Sequence, residues 1–174
     1  LHDALEEAIA DARSRGGLVG ALFVDIDRFK AVNDAHGHLL ADQILRIVAE
    51  RFRNLVTEPS VVFRFGGDEF LLLIRDALSP RHLVRVAQRV LDSLDQAISI
   101  DRTDFRVACS VGLAIFPDDA TGVDELLRKS DHALLLAKER GRNRVVRLDR
   151  SVARAMERRM RLEQDILHAL ERRE

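Results

Sequence analysis

The sequence predicts an α+β fold, a central antiparallel-type sheet flanked by helices, and three observations carry that prediction. Val61 to Ile74 reads Val-Val-Phe-Arg-Phe-Gly-Gly-Asp-Glu-Phe-Leu-Leu-Leu-Ile. Two apolar runs folded about Gly66-Gly67 make a β-hairpin, the glycines supplying the positive φ that tight turns need. Phe105, Val107, Cys109, Val111, Leu113 and Ile115 alternate with smaller or polar residues up to Pro117, the pattern of a strand with unlike faces. Several other segments repeat apolar residues at helical spacing. A chain of 174 residues with 47% hydrophobic content supplies a core for one domain.

Taken in order, Leu1 to Arg15 carries Leu5, Ala8, Ile9 and Ala12 at helical spacing and meets a stop at Gly16-Gly17. Leu18 to Val24 is an apolar run of strand length ending at Asp25-Ile26-Asp27. Asp27 to Ala35 is expected to form a short helical turn and Gly37 to Asn54 a longer helix, with Ala41, Leu45, Val48 and Phe52 on one stripe. Asn33 and Asp42 then lie near facing helix ends. After the hairpin, Ser79-Pro80 reads as an N-cap with a first-turn proline, and Leu83, Ala87, Val90, Leu91 and Leu94 as the buried face of the next helix. Thr121-x-x-Asp124 has the spacing of a capping box, followed by a stripe of Val123, Leu127, Ser130, Leu134 and Ala137, with Lys138 and Arg142 coming off the end. Arg144 to Leu148 adds a short edge strand. These elements make one domain over 1–147, and 148–174 reads as a charged C-terminal connecting helix bearing Arg150, Arg154, Arg158, Arg159 and Arg161.

A formal charge of -1 provides no general field for nucleic acid, so any anion site must be a local cluster of Lys and Arg. The single cysteine, Cys109, excludes an internal disulfide and suits a reduced core thiol in a cytoplasmic protein. No apolar stretch has membrane-spanning length and no signal peptide is visible, so this piece is expected to make no membrane contact. The chain begins without an initiator Met and is expected to be part of a longer protein, whose membrane or sensor segments would lie elsewhere.

Two acidic stretches point to chemistry. Asp68-Glu69 stands at the root of an apolar strand, where unpaired burial would be costly, and Asp25 and Asp27 stand at a strand end beside a helix start. If those strands are neighbours, Asp25 and Asp68 meet on one edge and form a hard-oxygen site suited to Mg2+ or Mn2+. The competing reading is a solvated turn. His36-Gly37-His38 lacks a third ligand nearby and is not read as a zinc site.

Phe23-Val24-Asp25-Ile26-Asp27-Arg28-Phe29-Lys30, Asn33-Asp34, Gly37-His38, Arg64-Phe65-Gly66-Gly67-Asp68-Glu69-Phe70 and Ala137-Lys138 through Gly141-Arg142-Asn143-Arg144 together resemble the GGDEF family of diguanylate cyclases, from about residue 18 to 146. The resemblance implies the palm-like (ferredoxin-like) nucleotide cyclase fold. It also implies condensation of two GTP molecules into cyclic di-GMP and two pyrophosphates by a symmetric dimer with a second copy of the chain. On the matching positions, Asp25, the carbonyl of Ile26, Asp68 and Glu69 become metal ligands, and Asp68 and Glu69 catalytic carboxylates. Asn33 and Asp42 would select guanine, His38 would line the nucleotide site, Phe29, Lys30, Gly66 and Gly67 would contact substrate, and Lys138 and Arg142 would bind the triphosphate.

Departures from the family pattern carry expectations of their own. Ala41 replaces a usual Gly and is expected to bring a methyl near the nucleotide. Leu135 replaces a usual helix Tyr. Thr57-Glu58-Pro59-Ser60 replaces the Arg-x-x-Asp that binds product in many members, so no allosteric product site is expected. Arg159-x-x-x-Glu163 and Leu167-His168-Ala169-Leu170-Glu171 resemble the lead-in to a C-terminal EAL domain. The alternative function is therefore a GTP-binding regulatory module of a tandem GGDEF-EAL phosphodiesterase.

Overall fold

Two strands buried at every position, with helices on both faces of the sheet they share, set the architecture. The computed structural model describes residues 1–148. In chain order the elements are α1 (His2–Arg15), β1 (Val19–Ile26), α2 (Phe29–Leu55), β2 (Val61–Gly66), β3 (Glu69–Ile74), α3 (Pro80–Asp92), β4 (Ile98–Ile100), β5 (Thr103–Phe105), β6 (Cys109–Phe116), α4 (Val123–Glu139) and β7 (Val145–Arg147). Five strands form one sheet in the order β2-β3-β1-β6-β7, and β4 pairs with β5 in a separate hairpin. Every pairing in the large sheet is antiparallel except β6 with the short edge strand β7, which is parallel.

Alternation along β1 divides the core. Leu22, Val24 and Ile26 join Ile44, Val48 and Phe52 of α2 and Leu83, Ala87 and Val90 of α3, while Ala21 and Phe23 join Leu5 and Ile9 of α1 and Leu134 of α4. Such burial on both faces supplies most of the folding drive, about 25 cal/mol for each Å² of apolar surface removed from water. Gly112 shows how closely α4 lies on the sheet. A Cβ at that position would stand 2.1 Å from the Ser130 carbonyl oxygen and 2.2 Å from the Leu134 nitrogen, so only glycine fits.

The capping signals at α1 and α3 act as the sequence suggests. Gly16 closes α1 in the left-handed region at φ 68, and the Ser79 hydroxyl accepts from the His82 amide. Helix α2 is continuous except at Gly37, whose φ of 79 and ψ of 164 kink it between the two segments expected as separate helices.

Three expectations are corrected. The alternating run from Phe105 to Ile115 is not one strand with unlike faces: Phe105 ends the β4–β5 hairpin, and β6 starts at Cys109 and is buried on both sides. The reason is the second helical layer, which alternation alone does not reveal. The capping box is displaced: Gly122 caps α4 without a side-chain bond, and Glu125 reaches back to the amide and hydroxyl of Thr121 at 2.8 and 3.0 Å. In the β2–β3 turn only Gly67, at φ 32, has positive φ. The connecting helix expected over 148–174 lies, beyond Leu148, outside the described residues. Among the described residues no helix is long and apolar enough to cross a membrane.

Candidate active site

The strand order places the acids. Because β1 lies between β3 and β6, Asp25 stands opposite Glu69 on one side and Ser110 on the other, and the Ile26 amide donates to the Asp68 carbonyl at 3.2 Å. Asp25, Ile26, Asp68 and Glu69 thus meet at one end of the sheet, as expected if the two strands are neighbours. Asp25 is nearly buried at 9% exposure, and Asp68 and Glu69 are half-buried. Burial pushes the Asp25 carboxyl above its ordinary pKa. The Lys138 ammonium, 2.7 Å from Asp25 Oδ2, pulls it back, and the Asp68 and Asp27 charges push it further up. Lys138 therefore stands beside the acids at the sheet end, paired with Asp25, with Arg142 exposed on the turn that follows α4.

Beside these acids lies a cleft of about 250 Å³ lined by Phe29, Lys30, Asn33, His38, Asp42, Leu45, Arg64, Gly67 and Asp68. The kink at Gly37 gives this cleft its shape, since it turns the first part of α2, bearing Asn33, against the second, bearing Asp42. His38 Nδ1 lies 3.3 Å from Asn33 Oδ1. Of the residues singled out in the sequence, the cleft gathers Phe29, Lys30, Asn33, His38, Asp42, Gly67 and Asp68. It does not include Asp25, Ile26, Gly66, Glu69, Lys138 or Arg142. Ala41 does not line the cleft either: it is 2% exposed and packs into the core, so its methyl points away from the space where a narrowing was expected.

Two side chains had no role assigned from sequence. Arg64 donates from Nε and Nη2 to the Gly67 carbonyl at 3.0 and 2.8 Å and stands 3.9 Å from Asp42, bracing the turn that carries Asp68. Asp27 accepts from the Ser110 hydroxyl at 2.7 Å and the Asn143 amide at 3.0 Å. Their positions inside the two acidic motifs were the available signal, but their partners were not legible there.

The donor set fits a hard divalent ion in its chemistry: carboxylate oxygens and a backbone carbonyl, with a side-chain cation already drawn onto Asp25. Asp25, Asp68 and Glu69 do not close into one ligand set. Among the described residues only His2, Asp3 and Glu6, exposed on α1, bring three such ligand atoms within 4.8 Å of one another. Burial pushes the Cys109 thiol up, which keeps it protonated and inert in the core.

The family profile described as "Diguanylate cyclase, GGDEF domain" matches residues 1–144. The bifunctional diguanylate cyclase/cyclic di-GMP phosphodiesterase MucR of Pseudomonas aeruginosa is 41% identical over 143 residues, covering 82% of this chain and 21% of MucR. The diguanylate cyclase DosC of Escherichia coli is 37% identical over 142 residues, covering 79% of this chain and 30% of DosC. The chain thus spans less than a third of either relative. The solved GGDEF domain of TpbB (YfiN) from Pseudomonas aeruginosa superposes with a TM-score of 0.86 at 30% identity, covering 90% of this chain and 91% of that one.

Proposed function

The chain belongs to the GGDEF diguanylate cyclase family, and on that premise we propose that it condenses two GTP molecules into cyclic di-GMP, releasing two pyrophosphates, as a symmetric pair of chains with one nucleotide on each. The observation that carries this reading is the meeting of Asp25 and Asp68 at one sheet end beside a cleft that holds Asn33, His38 and Asp42.

In each half-reaction the 3'-hydroxyl oxygen of one nucleotide bonds to the α-phosphorus of the other. The bond from that phosphorus to the bridging oxygen of the β-phosphate breaks, and the hydroxyl proton passes to a carboxylate, Asp68 or Glu69. Asn33 Oδ1 and the Asp42 carboxylate accept from the guanine N1–H and exocyclic amine. Adenine would leave those acceptors unpaired, which is the basis of selection. Backbone amides at Phe29 and Lys30, where α2 begins, and the side chains of Lys138 and Arg142 bind phosphate oxygens. Asp25, the Ile26 carbonyl, Asp68 and Glu69 would hold Mg2+ or Mn2+, which when bound neutralises phosphate charge and lowers the pKa of the attacking hydroxyl.

A second reading is favoured by the relative NbdA of Pseudomonas aeruginosa, 34% identical over 142 residues, whose name carries the cyclic di-GMP phosphodiesterase activity alone: a GTP-binding module that regulates a neighbouring C-terminal EAL phosphodiesterase domain without turnover. One experiment separates them. Purified protein is incubated with GTP and magnesium and the products identified by mass spectrometry. Cyclic di-GMP with pyrophosphate supports the cyclase, GTP bound and unconsumed supports the regulatory module, and neither binding nor turnover overturns both.

A further inference from the structure

The turn after α4 adopts a conformation that side chains resist. Gly141, Arg142 and Asn143 have φ of 107, 63 and 46, three positive values in succession with only the first a glycine. Within the turn the Arg142 amide donates to the Ala137 carbonyl at 3.0 Å. From outside, the Val111 amide of β6 donates to the Arg144 carbonyl at 2.9 Å just past the turn, and on the turn itself Asp27 Oδ2 accepts from the Asn143 amide at 3.0 Å across 116 residues of chain. Asp27 is itself fixed. Its Oδ1 accepts from the hydroxyl of Ser110, which is fully buried on β6, and its amide donates to the Ala108 carbonyl at 2.8 Å. One carboxylate therefore joins the end of β1, which carries Asp25, to the turn that carries Arg142.

We infer that Asp27 is a positioning residue for nucleotide binding: it holds the Gly141–Asn143 turn in its strained form, so that Arg142 is presented to the triphosphate in fixed register with Asp25 and Lys138. This inference rests on the reading of the site as a GTP site. A carboxylate suits the task because it accepts two hydrogen bonds at once and both are charge-assisted. Asn at this position can accept at only one oxygen and presents an amino group to the other donor. With the tether lost, Arg142 must be ordered by the ligand, and that ordering is subtracted from binding.

The test uses 3'-deoxy-GTP, which lacks the attacking hydroxyl and cannot condense, in calorimetric titrations with magnesium. Asp27→Asn should weaken its binding about tenfold, the order expected of one lost charge-assisted hydrogen bond. On GTP it should raise KM far more than it lowers kcat, and the Asn143 amide should lose protection in hydrogen exchange. In an Arg142→Ala background Asp27→Asn should add less than about twofold, since a residue acting through Arg142 has nothing left to position. Ser110→Ala removes the hydroxyl that fixes Asp27 Oδ1 and leaves the residues of the turn unchanged; it should weaken binding in the same direction, by about threefold, which keeps the inference testable if Asp27→Asn folds poorly. Wild-type protein that binds 3'-deoxy-GTP no better than Asp27→Asn overturns the inference alone, as does full additivity with Arg142→Ala. Wild-type protein that does not bind it at all overturns the nucleotide reading and the inference with it.

Discussion

Asp25→Asn separates a carboxylate kept for chemistry from one kept for folding. The substitution preserves shape and removes charge. In the folded chain the Asp25 carboxyl is pushed above its ordinary value, chiefly by burial, so the neutral form suits the site better than the ionised one. The sign follows from linkage: below pH 3.8 the carboxyl is protonated in both states and carries no penalty, and as pH rises through the higher folded value the ionised group subtracts from stability. At neutral pH Asn removes that penalty. It also removes the ion pair with Lys138, whose side chain is 29% exposed, an interaction worth about 1 kcal/mol or less. The two changes oppose each other, so the thermal midpoint should move by no more than about 3 °C in either direction. On the proposed reading, in which Asp25 holds the metal, cyclase activity should fall by a factor of about 100 or more. Calorimetric melting and steady-state assay of cyclic di-GMP formation on the same preparation check both. Near wild-type turnover would refute the assignment of Asp25 to the metal, and a midpoint lowered by about 10 °C would show that its main role is structural.

On the proposed reading, in which each half-reaction joins nucleotides held by different chains, activity should rise faster than in proportion to protein concentration; proportional activity together with a monomer by light scattering would contradict the dimer. Cyclic di-GMP should not bind around Thr57–Ser60, where none of the four residues carries a guanidinium and Ser60 Oγ already accepts the Arg75 amide at 3.1 Å, so a saturable product site in calorimetry with the active site blocked would overturn that expectation. Arg147→Ala should lower the thermal midpoint by roughly 6 °C, because Arg147 donates to Asp119 from Nε at 2.9 Å and Nη2 at 3.0 Å, leaving the buried Asp119 carboxylate without its cation when removed. Glu125 has its pKa lowered to about 2 by Lys129 and Thr121, so it contributes stability fully above its ordinary 4.5 and loses it as pH falls towards 2; Glu125→Gln should be less stable than wild type at pH 7, with the gap closing near pH 2 in acid titrations followed by circular dichroism.

The readable parts of this protein are those whose cause is local. A glycine pair between apolar runs, a Ser-Pro helix start, a helix ended by Gly16 and acids at two strand ends each follow from a few adjacent residues, and the structure contains all of them. The family motifs identified Asp25, Asp68, Asn33 and Asp42 as candidates before any contact was known. Local pattern failed where a second layer or a distant partner decides the outcome. The alternation ending at Ile115 looked half-exposed because nothing in it records that α4 covers the other face, and the displaced cap of α4 depends on a Glu that reaches backwards to Thr121.

The sequence by itself determined the fold class, the hairpin and the identity of the acids at its root, because strand and turn preferences act over a handful of residues. Only the tertiary structure decided which of these groups lie together. The β2-β3-β1-β6-β7 order sets Asp25 beside Asp68, the kink at Gly37 sets Asn33 and Asp42 around one cleft, and a single hydrogen bond from Asn143 to Asp27 spans 116 positions. Contacts of that reach depend on which strands become neighbours, a property of the packed sheet as a whole rather than of any stretch along it.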